Sequence, residues 1–315
     1  MSYPRSHIGY IEEDFLAQLA EEARTKFGVG KVADYIPALA EVEPDQFGMA
    51  ICHRDGRVQS CGDALVPFSI QSISKVISLV IAMRHADEFG LWQRLRQEPS
   101  GMPFSSLIQL EREEGIPRNP FVNAGALVIV DILVEKIFLI LHHMREFVRE
   151  HSGNRSINYD ARVAESELRN TSRNAAIAHL IKSFGNIHGD VNRVLEVYCH
   201  FCALGMNCVD LARLFSFLAS AGHSPISSQQ LLSADQAREV NGMMLTCGLY
   251  DASGSYAAQV GLPAKSGVGG GIVAVLPGEF TVCAWSPRLD ANGNSVGARW
   301  ALEKLVDYLG RSPLG

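Results

Sequence analysis

The chain has 315 residues, of which 47% are hydrophobic and 20% charged, and its formal net charge is −6. This composition is typical of a globular protein with a sizeable core, and it excludes a largely disordered chain. The mild negative charge argues against nucleic acid or an anionic membrane as the main partner. The first residues carry no apolar segment of the kind that secretory signals need, so we expect a cytoplasmic protein.

The first part of the chain predicts two helices separated by a hairpin. Apolar spacing over about residues 15–23 indicates an N-terminal helix. Two short apolar runs, at 47–52 and from Val58 onward, flank a turn and predict a β-hairpin. A helical stripe covers 73–81, whereas residues 98–125 hold four of the 13 prolines and predict a long ordered loop.

Residues 126–250 predict mainly helices. The most apolar stretch, 126–141, contains three charged residues, which would make a membrane span costly. Its apolar residues form a helical stripe, so it predicts one core helix. The polar residues 145–158 predict an exposed connection. Further on, two apolar runs at 272–276 and 280–285 predict a second hairpin.

Strands with flanking helices therefore come from both ends of the chain, including a final helix over about 296–309, and helices come from the middle. One antiparallel sheet built from both ends, interrupted by an all-helical subdomain, accounts for this order, so we predict an α/β (α+β) fold. We expect a single domain over 1–315. Approximately 1–70 and 251–315 would form its sheet part, and 71–250 its mainly helical part.

The motifs that usually bind cofactors are incomplete in this sequence. The seven cysteines are an odd, scattered set, which indicates free thiols in a reducing cytoplasm. Cys199-x-x-Cys202 has redox or zinc spacing, but it lies in the apolar run 194–204 without a second such pair, so we expect buried structural cysteines. Residues 261–266 and 267–272 each miss a phosphate-loop pattern at one position. We expect no cofactor, nucleotide or metal.

The quartet Ser72-Ile-Ser-Lys75 is a candidate nucleophile with its base. Residues at i and i+3 stand one above the other on a helix. Ser72 would lie in the first turn, where unpaired N–H groups favour a developing anion. Lys75 has apolar neighbours, and desolvation lowers a lysine pKa, so it could act as a neutral base. Lys265-Ser-Gly precedes a strand-like run, and penicillin-recognising acyl-serine enzymes combine these two motifs.

Several sequence blocks make a more specific resemblance. In order along the chain they are 30–37, 71–75, 98–101, 119–126, 247–251 and 261–268. Together they resemble the serine-dependent glutaminases over about residues 28–297. The resemblance implies a β-lactamase-like fold and cofactor-free hydrolysis of L-glutamine to L-glutamate and ammonia through a γ-glutamyl-serine intermediate. It also implies a homo-oligomer, a dimer or tetramer. Residues 137–158 depart from the family pattern, which leaves loop length and assembly contacts open.

The resemblance also implies roles for particular residues. Ser72 would be the nucleophile and Lys75 its base, with Tyr198 and Tyr250 assisting proton transfer. The implied substrate contacts are Ser72, Asn123, Glu167, Asn174, Tyr198, Tyr250 and the backbone of Val268, and Tyr35 and Gln71 fall in matching blocks. From the residues alone, Glu167 would be a helix-surface glutamate and Tyr198 a packed core tyrosine.

The chemistry of glutamine is consistent with these roles. Its α-ammonium suits a single carboxylate such as Glu167, and the amides of Asn123 and Asn174 can hydrogen-bond the α-carboxylate or the reacting amide. Two alternatives remain open at this point. A penicillin-recognising acyl-serine hydrolase would predict an export signal, and a non-catalytic glutamine-binding protein on the same scaffold would bind glutamine without turnover.

Overall fold

The computed structural model describes residues 10–26, 28–103 and 105–314. Its helices are α1 Glu13–Ala23, α2 Pro37–Ala40, α3 Ser74–Met83, α4 Ala86–Phe89, α5 Leu91–Arg94, α6 Leu107–Arg112, α7 Asn123–Lys136, α8 Ile140–Ser152, α9 Ala161–Arg169, α10 Ser172–Ser183, α11 Val191–Cys202, α12 Cys208–Ala219, α13 Ala234–Cys247, α14 Ser253–Gln259 and α15 Val296–Leu309. Its strands are β1 Gly48–His53, β2 Val58–Gly62, β3 Phe68–Ser69, β4 Asn158–Tyr159, β5 Leu204–Met206, β6 Ala264–Ser266, β7 Gly271–Leu276 and β8 Phe280–Trp285.

The main sheet has five antiparallel strands in the order β2-β1-β8-β7-β6. β1 from the N-terminal part pairs directly with β8 from the C-terminal part, so that Ile51 lies opposite Val282. The hairpins β1–β2 and β7–β8 coincide with the two predicted from apolar runs. The predicted sheet from both chain ends is therefore confirmed.

Both faces of this sheet are covered, which explains why its central strands are continuous apolar runs. Every residue of β1, β7 and β8 is buried. One face, with Met49 and Val282, belongs to a core that includes Leu302 of α15. The other face, with Ala50 and Val273, belongs to the large core of the helical block. The sheet is thus a wall between two helical layers.

A second sheet, which the sequence does not predict, connects the segment before Ser72 to the helical block. It has three very short strands in the order β3-β5-β4. Ser69 Oγ donates a hydrogen bond to the carbonyl of Cys202 (2.8 Å), and the Ile70 N–H donates to the carbonyl of Leu204 (3.0 Å). These bonds fix the start of α3 against the end of α11.

Two predictions for the middle of the chain are wrong. The apolar stripe 126–141 is not one helix, because α7 ends earlier and Leu139 adopts a left-handed backbone (φ 55°) before α8 begins. Residues 145–158 are not mainly an exposed connection, because most of them belong to α8, whose Phe147 and Val148 are buried. The many charges on the outer face of α8 hide its apolar stripe. The predicted loop at 98–125 also contains the short helix α6.

Cys199 and Cys202 are buried, as predicted, and all seven cysteines are free. Over residues 10–26, 28–103 and 105–314, the structure contains no helix with the length and apolar character needed to cross a membrane.

Candidate active site

A cavity of about 750 Å³ opens beside the start of α3. Nine of the ten residues singled out in the sequence line it: Tyr35, Gln71, Ser72, Asn123, Glu167, Asn174, Tyr198, Tyr250 and Val268. The tenth, Lys75, is buried one helical turn beyond Ser72 and hydrogen-bonds to Asn123. The fold therefore brings together residues from distant parts of the chain.

Ser72 lies at the entrance to α3 rather than inside it. A 3₁₀ turn, Gln71–Ile73, leads directly into the helix. Gln71 has a left-handed backbone (φ 48°), and its side-chain amide donates to Ser69 Oγ (2.9 Å). A non-glycine residue in this region costs about 1–3 kcal/mol, so it persists only where its surroundings hold it. The strained turn presents Ser72, 9% exposed, to the cavity.

Lys75 has the environment of a proton acceptor. Its Nζ donates to Asn123 Oδ1 (2.7 Å) and to the carbonyl of Phe121 (3.2 Å). Burial lowers the pKa of Lys75 from 10.5 to about 8, although the charge of Glu167 acts in the opposite direction. A neutral amine has two N–H donors and one lone pair. Because the two oxygens use both donors, the lone pair remains to accept a proton.

Asn123 connects the lysine to Asn174, which lines the cavity. Its amide nitrogen donates to Asn174 Oδ1 (2.8 Å) while its oxygen accepts from Lys75, so both ends of the side chain are fixed. Upstream, the buried Asn119 accepts from the N–H of Phe121 (3.0 Å) and shapes the turn that precedes α7. That turn presents the Phe121 carbonyl to the lysine.

Glu167 is a buried carboxylate with an unused oxygen. It continues the buried stripe of Val163 and Ala164 on α9, and it is 8% exposed. Among the residues that the structure describes, its buried Oε2 has no hydrogen-bond partner. Burial raises the pKa of Glu167 from 4.5 to about 7, and the nearby Lys75 opposes this rise. A buried acceptor without a partner is costly, so this position suits a cationic ligand group.

The two tyrosines lie on separate elements. Tyr198 on α11 is buried yet lines the cavity, and burial raises its pKa well above 10. Tyr250 has a left-handed backbone (φ 52°), and its hydroxyl lies 3.5 Å from the Ser266 carbonyl and within hydrogen-bonding reach of the Ser72 hydroxyl. Burial raises the pKa of Tyr250 to about 12, so at neutral pH the phenol carries its proton next to the serine.

Two glycines hold the Val268 backbone close to the segment that leads into Ser72. A Cβ atom at Gly267 would lie 2.4 Å from the Ile70 carbonyl oxygen, and one at Gly269 would lie 2.0 Å from that of Ser69. Only glycine therefore permits this approach. The result is that Val268 forms part of the cavity wall near Ser72.

Some residues that line the cavity are not among those predicted from the sequence. Arg173 lines it and donates to the Ser105 carbonyl (3.2 Å), and the turn at 290–293 lines it near Tyr250. A β-bridge between Lys31 and Leu289 joins this turn to the loop that carries Tyr35. The side chain of Tyr35 is 58% exposed. Arg173 directly precedes Asn174 in the sequence, and this was the signal that could have placed Arg173 at the cavity. The turn at 290–293 carried only ordinary turn composition.

A possible metal site lies outside the cavity. Within the part of the chain that the structure describes, Asp131, Glu135 and His188 are the one group of such side chains close enough to share an ion. Asp131 already accepts from the Arg94 guanidinium (2.5 Å) and from two backbone N–H groups. We therefore interpret this group as a structural ion pair.

A five-stranded antiparallel sheet between helical layers, with a Ser-x-x-Lys turn at the cavity, is typical of the β-lactamase-like fold. The sequence model of the glutaminase family matches residues 30–313. Relatives named glutaminase from Pseudomonas syringae pv. tomato and Photorhabdus laumondii subsp. laumondii are 58% and 54% identical over 292 and 297 residues. These matches cover 93% and 94% of this chain and 96% of each relative.

Solved structures agree with these relatives. A protein described as a probable glutaminase matches with a TM-score of 0.88 at 35% identity, covering 96% of this chain and 99% of that chain. A Bacillus glutaminase matches with a TM-score of 0.85 at 33% identity, covering 95% and 98%. The chain therefore belongs to the glutaminase family of amidohydrolases, and the predicted fold and enzyme class are confirmed.

Proposed function

We propose that this chain hydrolyses L-glutamine to L-glutamate and ammonia through a γ-glutamyl ester on Ser72. The observation that carries the proposal is the buried Glu167 oxygen, without a hydrogen-bond partner among the described residues, in the same cavity as Ser72. The buried Lys75 follows one helical turn after the serine. A cation-binding carboxylate near a serine–lysine pair suits an amino acid whose side chain carries the bond to be cleaved.

Substrate binding uses the charged groups of the amino acid. Glu167 accepts from the α-ammonium, which supplies its missing partner. Asn174 Oδ1 already accepts from Asn123, so the amide nitrogen of Asn174 is the group that can donate to the α-carboxylate. The cavity wall formed by Tyr198 then confines the aliphatic part of glutamine.

The reaction follows an acyl-serine sequence. Ser72 Oγ attacks the γ-carboxamide carbon while Lys75 Nζ, assisted by the hydroxyls of Tyr198 and Tyr250, takes the serine proton. The backbone N–H groups of Ser72 and Val268 stabilise the oxyanion. The leaving nitrogen is protonated by the same groups and departs as ammonia. Water then attacks the γ-glutamyl ester, with the proton transfers reversed, and releases glutamate.

The setting of the enzyme is also a proposal. The seven free cysteines support a reducing cytoplasm, and the net charge of −6 supports small-molecule chemistry without nucleic acid or membrane. Phe138 and Leu139, which are adjacent between α7 and α8, are 90% and 60% exposed, and this apolar pair supports assembly into a homo-oligomer.

The test is an ammonia-release assay on the purified protein with L-glutamine, L-asparagine and N-acetyl-L-glutamine. We expect turnover of glutamine and very poor turnover of the N-acetyl form, since acetylation removes the charge that Glu167 binds. Ser72→Ala is the control for contaminating activity. Binding of glutamine without ammonia release would indicate a non-catalytic binding protein, and acylation by penicillin without glutamine turnover would indicate the penicillin-recognising alternative.

A further inference from the structure

Lys265 is a buried lysine for which the proposed reaction has no step. It is the central residue of β6 and is 0% exposed. Its Nζ donates to the carbonyl of Gly248 (3.0 Å) and to the carbonyl of Ser266 (2.6 Å). Both partners are neutral, and burial lowers the pKa of Lys265 well below its usual value. Because an amine in either charge state can donate to both carbonyls, these contacts do not depend on its charge.

The same amine contacts Tyr250. Lys265 Nζ lies 4.5 Å from the centroid of the Tyr250 ring. Tyr250 has a φ of 52°, a backbone conformation that residues with a side chain rarely adopt unless their surroundings hold it. The amine is one of those surroundings, on the face of the ring.

The backbone just before Tyr250 is attached to the same strand. The Gly248 carbonyl accepts from the Ser266 N–H (3.2 Å) and from Ser266 Oγ (3.4 Å), as well as from Lys265. Gly248 also packs so tightly on β6 that a Cβ atom would lie 1.6 Å from the Ala264 carbonyl oxygen. Lys265 thus contacts the strained turn at two points, the Gly248 carbonyl that precedes Tyr250 and the ring of Tyr250 itself.

We propose that Lys265 is a positioning residue that holds the Tyr250 hydroxyl beside Ser72. The inference rests on the proposed function, in which that hydroxyl assists proton transfer. Loss of Lys265 should therefore impair chemistry more than binding, because Glu167 and Asn174 lie on other elements, α9 and α10.

The principal variant is Lys265→Met, whose unbranched side chain is one atom shorter and lacks the amine that makes both hydrogen bonds. We expect kcat to fall about 10-fold or more, since a placed proton-transfer group contributes about 10²–10⁴-fold, while KM changes little. Lys304→Met makes the same chemical change at an exposed position of α15 and should leave both constants unchanged. Lys265→Gln retains a donor, should lose less activity, and serves if the methionine variant does not fold.

A double-mutant cycle separates positioning from general structural damage. In a Tyr250→Phe background, which lacks the hydroxyl, Lys265→Met should cause no further loss of kcat. The crystal structure of Lys265→Met should show the Tyr250 hydroxyl displaced from Ser72. Equal fold-losses in both backgrounds, or an unmoved Tyr250 with normal kcat, would overturn the proposal. Normal kcat in Tyr250→Phe alone would instead refute the proton-transfer role, and the crystal structure would then decide the positioning role by itself.

Discussion

Glu167→Gln tests directly whether the cavity binds the α-ammonium of the substrate through Glu167. The same variant tests how kcat/KM depends on pH. The change keeps the shape of the side chain and removes its ionisation. In the wild-type enzyme two groups must be deprotonated together, Glu167 to bind the α-ammonium and Lys75 to accept the serine proton. Their pKa values are about 7 and about 8. kcat/KM should therefore rise with pH through two ionisations of the free enzyme.

The magnitude follows from these values. At pH 6 about one tenth of Glu167 is ionised and about one hundredth of Lys75 is neutral, so kcat/KM should be about 10³-fold lower than at pH 9. In Glu167→Gln only the lysine ionisation remains, and the fall should be about 10²-fold or less. It is less because the charge of Glu167, which raises the pKa of Lys75, is gone.

At pH 9 the variant should also be weaker by about 10- to 150-fold in kcat/KM, mainly through KM. This range corresponds to losing a charged hydrogen bond of about 1.5–3 kcal/mol. The assay is initial-rate ammonia release from pH 6 to 9 at several glutamine concentrations. An unchanged slope of log kcat/KM against pH in the variant would refute the assignment of the lower ionisation to Glu167.

The same substitution has a readout in stability. The folded pKa of Glu167 lies above its ordinary value of 4.5, so the protonated carboxyl contributes stability that is fully present below pH 4.5 and is lost as the pH rises through about 7. The loss is about 3 kcal/mol. Glu167→Gln should accordingly unfold at a higher temperature than the wild type at pH 8, and at a similar temperature near pH 4.5. Equal unfolding temperatures at pH 8 would contradict the buried-carboxylate reasoning.

Three further outcomes test the proposed acyl-serine mechanism. Ser72→Ala should lose about 10⁴–10⁶-fold in kcat with an unchanged unfolding temperature, and mass spectrometry should locate an electrophilic glutamine analogue on Ser72; a label on Cys247 would reject the serine mechanism. Lys75→Arg should be nearly inactive in the ammonia assay because arginine stays charged, and retained activity would exclude the lysine as base. Tyr198→Phe and Tyr250→Phe should each lose about 10²-fold or more in kcat; if they share one relay, the double variant should lose much less than the product, and near-normal kcat in Tyr198→Phe would return that residue to a packing role.

The sequence predicts those parts of the fold that have a long periodic signal. The two hairpins, α3 and the C-terminal helix come from runs of apolar residues that leave little choice. The small sheet could not be found in this way, because strands such as Phe68–Ser69 are too short to show a period of two. The break after α7 was missed for another reason. The apolar stripe continues through it, although α7 ends where Ile137 adopts an extended backbone and Leu139 a left-handed one.

The candidate site shows the same division. The spacing of Ser72 and Lys75 is a weak signal by itself, and it indicates a nucleophile with its base only together with the Lys265-Ser-Gly motif and the family blocks. Glu167 required the family resemblance, since a lone glutamate on a helix looks the same whether it faces solvent or a cavity. Its burial depends on the way α9 packs against Leu39 of α2, which is a tertiary contact. The left-handed backbone of Tyr250 could not be predicted from the sequence either, because this conformation is expected at glycine and not at tyrosine.

The pairing of β1 with β8 has a consequence for biosynthesis. During synthesis Ser72 and Lys75 are added to the chain long before Val268 and β8. A nascent chain therefore contains the serine and its base before it contains the residues that complete the cavity wall. Until β8 is made, the edge of β1 that pairs with β8 has no partner strand, and such an edge can pair with other chains. Such non-local pairing is slow to form, so we expect folding to depend on completion of the C-terminal strands. Premature termination before β8 should yield an inactive, aggregation-prone fragment rather than a partly active enzyme.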